Sequence, residues 1–289
     1  MVASSQIAEN ASMTSSRSDD LLAVARRIAD AMPPEVEEAV VTGSVSRGAA
    51  DDISDIEMLL VTREQLSLDD CFGLARGAGL ENLGTWGAQN RPARRVSGYR
   101  EGVPIELIWW SREHAEESVD ALLRGEMPSS ADALTHGVAL RTSGALAAWQ
   151  RRLAAYPEEL VAQICEEATL PWGGFAAAGL LTLVRTGERL ALLEWVVDGA
   201  NRVLQIVWAV NRRWQPTAKR LASRTSTLAI TPERLAERID EALSELDPVR
   251  ALLVMTKLQL DAVELAPSGP NVDRARAWLA AGVRILEGG

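Results

Sequence analysis

Strand-like alternation is confined to the first 111 residues of this chain, and everything after His114 reads at helical spacing. A chain with that division folds as a sheet with helices followed by a bundle, the α+β class. The stretch EAVVTGS reads as a strand stopped at Gly43-Ser44, and ISDIEMLLVT reads as a second strand. RRVSGYREGVPIELIWW reads as two strands around a turn at Glu101-Gly102. DDLLAVARRIADAM reads as a helix with Ser18 or Asp19 as N-cap and Pro33-Pro34 as its stop. The expected organisation is a loose tail over residues 1–17, a mixed-sheet domain over 18–125 and an all-helical domain over 126–289. Within the second half, the loop-like PSSAD and the apolar stretch from Gly174 to Arg185 are read as linker and helix.

Composition narrows the function classes. Net charge is −10, which opposes broad binding to nucleic acid, because that needs a basic face. Cys71 and Cys165 are the only cysteines, too few for a disulfide framework, and with two histidines a structural zinc site is excluded. No apolar run reaches the ~20 residues of a membrane span, and the N-terminus has no signal-peptide core, so a cytoplasmic protein without membrane contact is expected.

Two acids in the second strand call for a reason. Asp55 and Glu57 alternate inside an apolar run and project from one face, roughly 6 to 7 Å apart. A carboxylate in an apolar setting costs several kcal/mol unless it is paired or bound to a metal. Upstream, Gly43 lets backbone approach a ligand, and Ser44 offers a hydroxyl and an N–H. The following turn presents free N–H groups, Arg47 a positive charge and Gly48 a tight end. Phosphates held there and cations shared by the acids suit displacement at phosphorus. Glu106, an acid inside the apolar VPIELIWW, is the candidate third carboxylate, as metal ligand or as base.

These residues resemble the nucleotidyltransferase superfamily, whose fold is shared by DNA polymerase beta, antibiotic nucleotidyltransferases and CCA-adding enzymes. The signature is G-S, then R-G, then D-x-D or D-x-E, then a separate acid on a later strand. Gly43, Ser44, Arg47, Gly48, Asp55, Glu57 and Glu106 fill those places, with Glu57 where Asp is commoner. The resemblance implies transfer of a nucleoside monophosphate from a nucleoside triphosphate, ATP, with two Mg²⁺ ions and release of pyrophosphate. It also implies a C-terminal helical domain that closes over the nucleotide.

The segment from Ala200 to Thr225 resembles an N-[RK]-x-[WY]-x-P-x-x-K pattern in helical domains of small-molecule nucleotidyltransferases. That resemblance implies a triphosphate contact from Lys219, with Asn211 and Arg212 nearby. Trp86, Trp109, Trp110, Trp172, Trp195, Trp208 and Trp214 are candidates to stack on a base or line an acceptor pocket, although each taken singly reads as core packing. The expected acceptor is a small hydroxyl-bearing molecule, with an antibiotic the most familiar example. The rival acceptors are tRNA or a protein, as for toxin-like nucleotidyltransferases. A non-catalytic nucleotide-binding protein of the same fold is the third reading.

Overall fold

The computed structural model describes residues 2–87, 92–126, 131–172 and 188–288, with side chains from residue 17 onward. It divides into two compact units, Met1–Ala155 and Tyr156–Gly289.

The first unit is built on a six-stranded sheet. In chain order its strands are β1 (Val36–Val41), β2 (Ile56–Thr62), β3 (Glu81–Gly84), β4 (Arg94–Arg100), β5 (Val103–Ser111) and β6 (Val138–Arg141). Their spatial order is β3-β4-β5-β2-β1-β6. β2 and β5 run parallel, and every other neighbouring pair is antiparallel. The helices of this unit are α1 (Val2–Ala31), α2 (Gly43–Ser46), α3 (Leu68–Gly77), α4 (Arg112–Leu123), α5 (Ala131–His136) and α6 (Ala145–Ala154).

Period-2 alternation decides which side chains enter the core. Ile56, Met58 and Leu60 of β2, Ile105, Leu107 and Trp109 of β5 and Val96 of β4 are buried together. Leu21, Ala25 and Ile28 of α1 and Cys71 and Ala75 of α3 join the same cluster. Burial pushes the Cys71 thiol up to about 12, so it is an inert core thiol. On the opposite sheet face Leu59, Val61 and Trp110 are buried too, where α4 crosses β2 and β5.

The hairpin turn forms where the sequence indicates it. Glu101 (φ +55°) and Gly102 (φ +78°) both take left-handed conformations between β4 and β5, the signature of a type I′ turn. α1 starts at Val2 and runs through the residues read from the sequence as a tail. Two expectations are corrected. Ser18 lies inside that helix rather than capping it. Its buried hydroxyl accepts the Ala50 N–H at 3.0 Å, a tertiary bond invisible to a local motif. The sheet unit also extends to Ala155 rather than 125. The cause is β6, which pairs with β1 (Val40↔Ala139, Val41↔Val138) and carries α5 and α6 with it. The buried Glu38 of β1 locks this in: its Oε1 accepts from Ser143 N and Oγ, both at 2.7 Å, and from Ala145 N at 3.1 Å, at the start of α6.

The second unit is helical: α7 (Glu158–Thr169), α8 (Arg189–Val210), α9 (Leu221–Thr225), α10 (Leu235–Ser244), α11 (Pro248–Leu265) and α12 (Pro270–Leu286). Its core joins Val196, Val203 and Val207 of α8 with Leu252, Met255 and Leu258 of α11 and Leu279 of α12. Pro248 and Pro270 occupy first-turn positions, where the missing N–H costs nothing. Asp247 caps α11 by accepting from Val249 N and Arg250 N. Glu166 of α7 caps α12 through Asn271 N and Val272 N. The apolar stretch from Gly174 to Arg185 and most of PSSAD lie outside the described residues. Among the described residues no helix is long and apolar enough to cross a membrane.

Candidate functional site

Glu57 and Glu106 face each other across neighbouring strands. The parallel register of β2 and β5 makes them direct partners, and both are half-buried. Each lies on the sheet face opposite the core residues that flank it in sequence, as alternation requires. Like charges directly across a ladder repel, and a cation held between them offsets that repulsion.

The Gly43-Ser44 turn is attached to the same point. Thr42 N donates to Glu57 O at 2.9 Å, which ties the end of β1 to the start of β2. Gly43 has φ +68°, and a Cβ built there would sit 2.2 Å from Glu57 Oε2. The glycine is therefore required twice, by its backbone and by the carboxylate packed against it. Ser44 is half-buried, and its hydroxyl has no hydrogen-bond partner among the described residues. Its carbonyl accepts from Arg47 N and Ala49 N and closes the turn, which Gly48 (φ +64°) ends.

Asp55 is exposed and precedes the first residue of β2, in a loop that Asp51 and Ser54 brace through hydrogen bonds of 2.7 and 2.9 Å. Among the described residues no three His, Cys, Asp or Glu side chains form a group able to hold a metal ion. Register thus brings two of the three predicted carboxylates together, and Asp55 stands at the mouth of the strand. The donor set still fits Mg²⁺ in kind, because it consists of hard carboxylate oxygens beside a turn with no side chain in the way.

Arg47, expected to meet a phosphate, donates from Nη1 to Asp132 Oδ2 of α5 at 2.9 Å. That ion pair ties the turn to α5. Asp132 was not singled out from the sequence, since nothing local marks an acid 85 residues away as its partner.

The segment expected to contact the triphosphate lies in the helical unit. Asn211 is occupied structurally: its Nδ2 donates to Val207 O and Ile230 O, and its Oδ1 accepts from Ala229 N and Ile230 N. It staples the 211–230 connection to the end of α8, and so it is not free for a ligand. Arg212 (φ +52°) holds Glu158 through both Nε and Nη2. That bond lowers the Glu158 carboxyl below its usual range and raises the guanidinium. Lys219 is exposed.

The tryptophans divide by burial. Trp109, Trp172 and Trp208 are core residues, Trp195 packs against the helical core, and Trp214 stacks on Tyr156. Trp110 meets His114 edge-on, with centroids 4.9 Å apart. Trp86 is different: it is 53% exposed, with the Arg95 guanidinium carbon 4.1 Å above its ring. Arg95 was missed in the sequence, although the alternation of RRVSGYR puts it on the face of Ser97 and Tyr99.

No protein-family model and no curated protein matches this chain. Among the solved structures that match is a nucleotidyltransferase-like protein from Exiguobacterium sibiricum 255-15, 13% identical, covering 90% of this chain and 71% of that one, with a TM-score of 0.34. At that level the likeness bears on no residue of the site.

Proposed function

We propose that this chain is a metal-dependent nucleotidyltransferase. It moves a nucleoside monophosphate from a nucleoside triphosphate, ATP in the first instance, to a hydroxyl of a small acceptor and releases pyrophosphate. The observation that carries the reading is the Glu57–Glu106 register pair with the side-chain-free turn at Gly43 packed against it. Two acids placed side by side in an otherwise apolar pair of strands are a natural seat for a cation.

Asp55, Glu57 and Glu106 would hold Mg²⁺, which supplies charge neutralisation at the phosphates when bound. Glu106, on the β4-flanked strand of the pair, takes the proton of the acceptor hydroxyl. As that O–H bond breaks, oxygen bonds to the α-phosphorus and the bond to pyrophosphate breaks. The Ser44 hydroxyl and the N–H groups of the turn orient the triphosphate. Lys219 remains the candidate contact from the helical unit, whereas Asn211 and Arg212 act there through structure.

The test is pyrophosphate release from labelled nucleoside triphosphates with Mg²⁺ and panels of small hydroxyl compounds, antibiotics and tRNA. Glu57→Gln and Asp55→Asn should each lower transfer by about a thousandfold or more. Transfer that persists in both would sink the reading. Nucleotide binding without transfer to any acceptor would support a non-catalytic binding protein, and transfer to tRNA alone the macromolecular alternative.

A further inference from the structure

The sheet lays its polar positions out in a line. Starting from the Gly43 turn, the face carries Glu57 on β2, Glu106 on β5 and Ser97 on β4, with Glu57↔Glu106 and Ser97↔Glu106 as register partners. Neighbouring strands are about 4.8 Å apart, so Ser97 is about 10 Å from Glu57 at the backbone. Arg95 lies on the same face, one pair along, opposite Ile108.

Arg95 is held in an unusual way. Thr85 Oγ1 donates to Arg95 O at 2.7 Å and fixes the connection that follows β3. This brings Trp86 beneath the Arg95 guanidinium, flat enough for a 4.1 Å approach to the ring centroid. Among the described residues Arg95 makes no ion pair. In a chain of net charge −10, several arginines on this unit have found an acid: Arg27 has Glu101, Arg47 has Asp132, and Arg112 has Glu37. A guanidinium stacked on an exposed ring keeps its N–H edges turned outward, and their spacing matches two oxygens of one anion.

We infer that Trp86 and Arg95 recognise the acceptor, and that the acceptor is a small hydroxyl compound bearing an oxyanion, a phosphate or a carboxylate. This rests on the nucleotidyltransferase reading for one step. Attack at phosphorus needs the entering and leaving oxygens roughly in line. With the triphosphate at Gly43 and Ser44, the entering hydroxyl comes from the opposite side of Glu106, which is the β4 side. There the charge is positive and its partner is missing. A polycationic acceptor such as an aminoglycoside meets repulsion at Arg95, whereas an oxyanion gains two charge-assisted hydrogen bonds. The rest of the chain, strongly acidic, argues for a small anion rather than a polyanion such as tRNA.

One scaffold carrying different charges tests this directly. Binding of glucose, glucosamine, glucose 6-phosphate and glucuronate to the full chain is measured by ligand-observed NMR without nucleotide. The expected result is binding of the phosphate and the glucuronate about tenfold or more tighter than the other two, the two anions separating phosphate from carboxylate preference. Arg95→Gln should abolish the preference, Arg95→Lys should keep part of it, and Trp86→Leu should weaken it. Arg63→Gln, an exposed charge beyond the end of β2 and beside Glu37, should leave it unchanged, and circular dichroism checks that each variant is folded. No binding of either anion, a preference for glucosamine, a preference untouched by Arg95→Gln, or displacement of the anions only by tRNA would overturn the inference. Calorimetry with ATP and Mg²⁺ is read separately. Absent nucleotide binding with intact anion selectivity sinks the transferase reading and leaves the anion site standing.

Discussion

Gly43 has no room for a side chain. Gly43→Ala forces a Cβ to within 2.2 Å of Glu57 Oε2 at a left-handed φ. The backbone alone costs roughly 1–2 kcal/mol, and the carboxylate must move away from the turn. Urea unfolding should show that loss, and pyrophosphate release should fall by about a hundredfold or more. Removing the same clash with Gly43→Ala/Glu57→Ala should restore part of the stability and none of the activity. His114 offers a second residue-scale test. Burial against Trp110 pulls its imidazole below the ordinary 6.5, and Glu117 opposes that shift. The folded state therefore binds the proton less readily than the unfolded one. Stability attributable to His114 is full above about pH 6.5 and declines as the pH falls through the unfolded and then the folded value. The stability gap between wild type and His114→Gln should be the same at pH 7.5 and 5.5 if the histidine carries no such dependence. A wider gap at pH 7.5 is the expected outcome.

At the scale of the element, two features stand against local preference. Glu101 takes φ +55° at a type I′ position where Asn is preferred. Its ion pair with Arg27 is exposed on both sides, and such pairs contribute little. Glu101→Asn should raise stability by about 0.5–1 kcal/mol, read as a higher urea midpoint with an unchanged slope. In α11, Gln259 is fully buried, and among the described residues neither its amide atoms nor Thr256 Oγ1 one turn before it has a hydrogen-bond partner. The amide nitrogen lies 2.6 Å from where a Cβ on Gly199 of α8 would be, so that glycine makes space for it. Replacing both polar atoms by an apolar chain of similar shape removes a desolvation cost of about 1–3 kcal/mol. Gln259→Met should stabilise the protein, and a lower thermal midpoint would show that ordered water or strain relief accounts for the glutamine instead. The hairpin turn was legible in the sequence because a turn is encoded by adjacent residues. The glutamine was passed over because a lone polar residue at helical spacing looks the same whether it faces solvent or the core.

For the whole molecule, each unit has its own buried cluster. Met255→Ala should cost about 2–4 kcal/mol and Leu107→Ala a similar amount, each from a cavity in one core. Hydrogen exchange should lose protection in α8 and α11 for the first variant and in β2 and β5 for the second. Loss spread evenly over both units would mean that the two cores unfold as one.

Much of the site was written in one local stretch. The Gly43-Ser44 stop, the alternating Asp55 and Glu57 and the out-of-place Glu106 follow from composition against a period of two, which needs no partner to be read. The same rule assigns Ile105, Leu107 and Trp109 to the core. What only the tertiary structure decided is which distant groups meet. Parallel pairing of β2 with β5 put Glu57 beside Glu106 across 49 residues of chain, and β6 joined β1 from beyond the expected boundary. Asp132 took Arg47, the 229–230 backbone took both ends of Asn211, and Trp86 took Arg95. A side chain's type limits what it can bind, but its partner depends on where the backbone carries it. Contacts between residues far apart in sequence are set by burial and strand register together, and neither is written in any one segment.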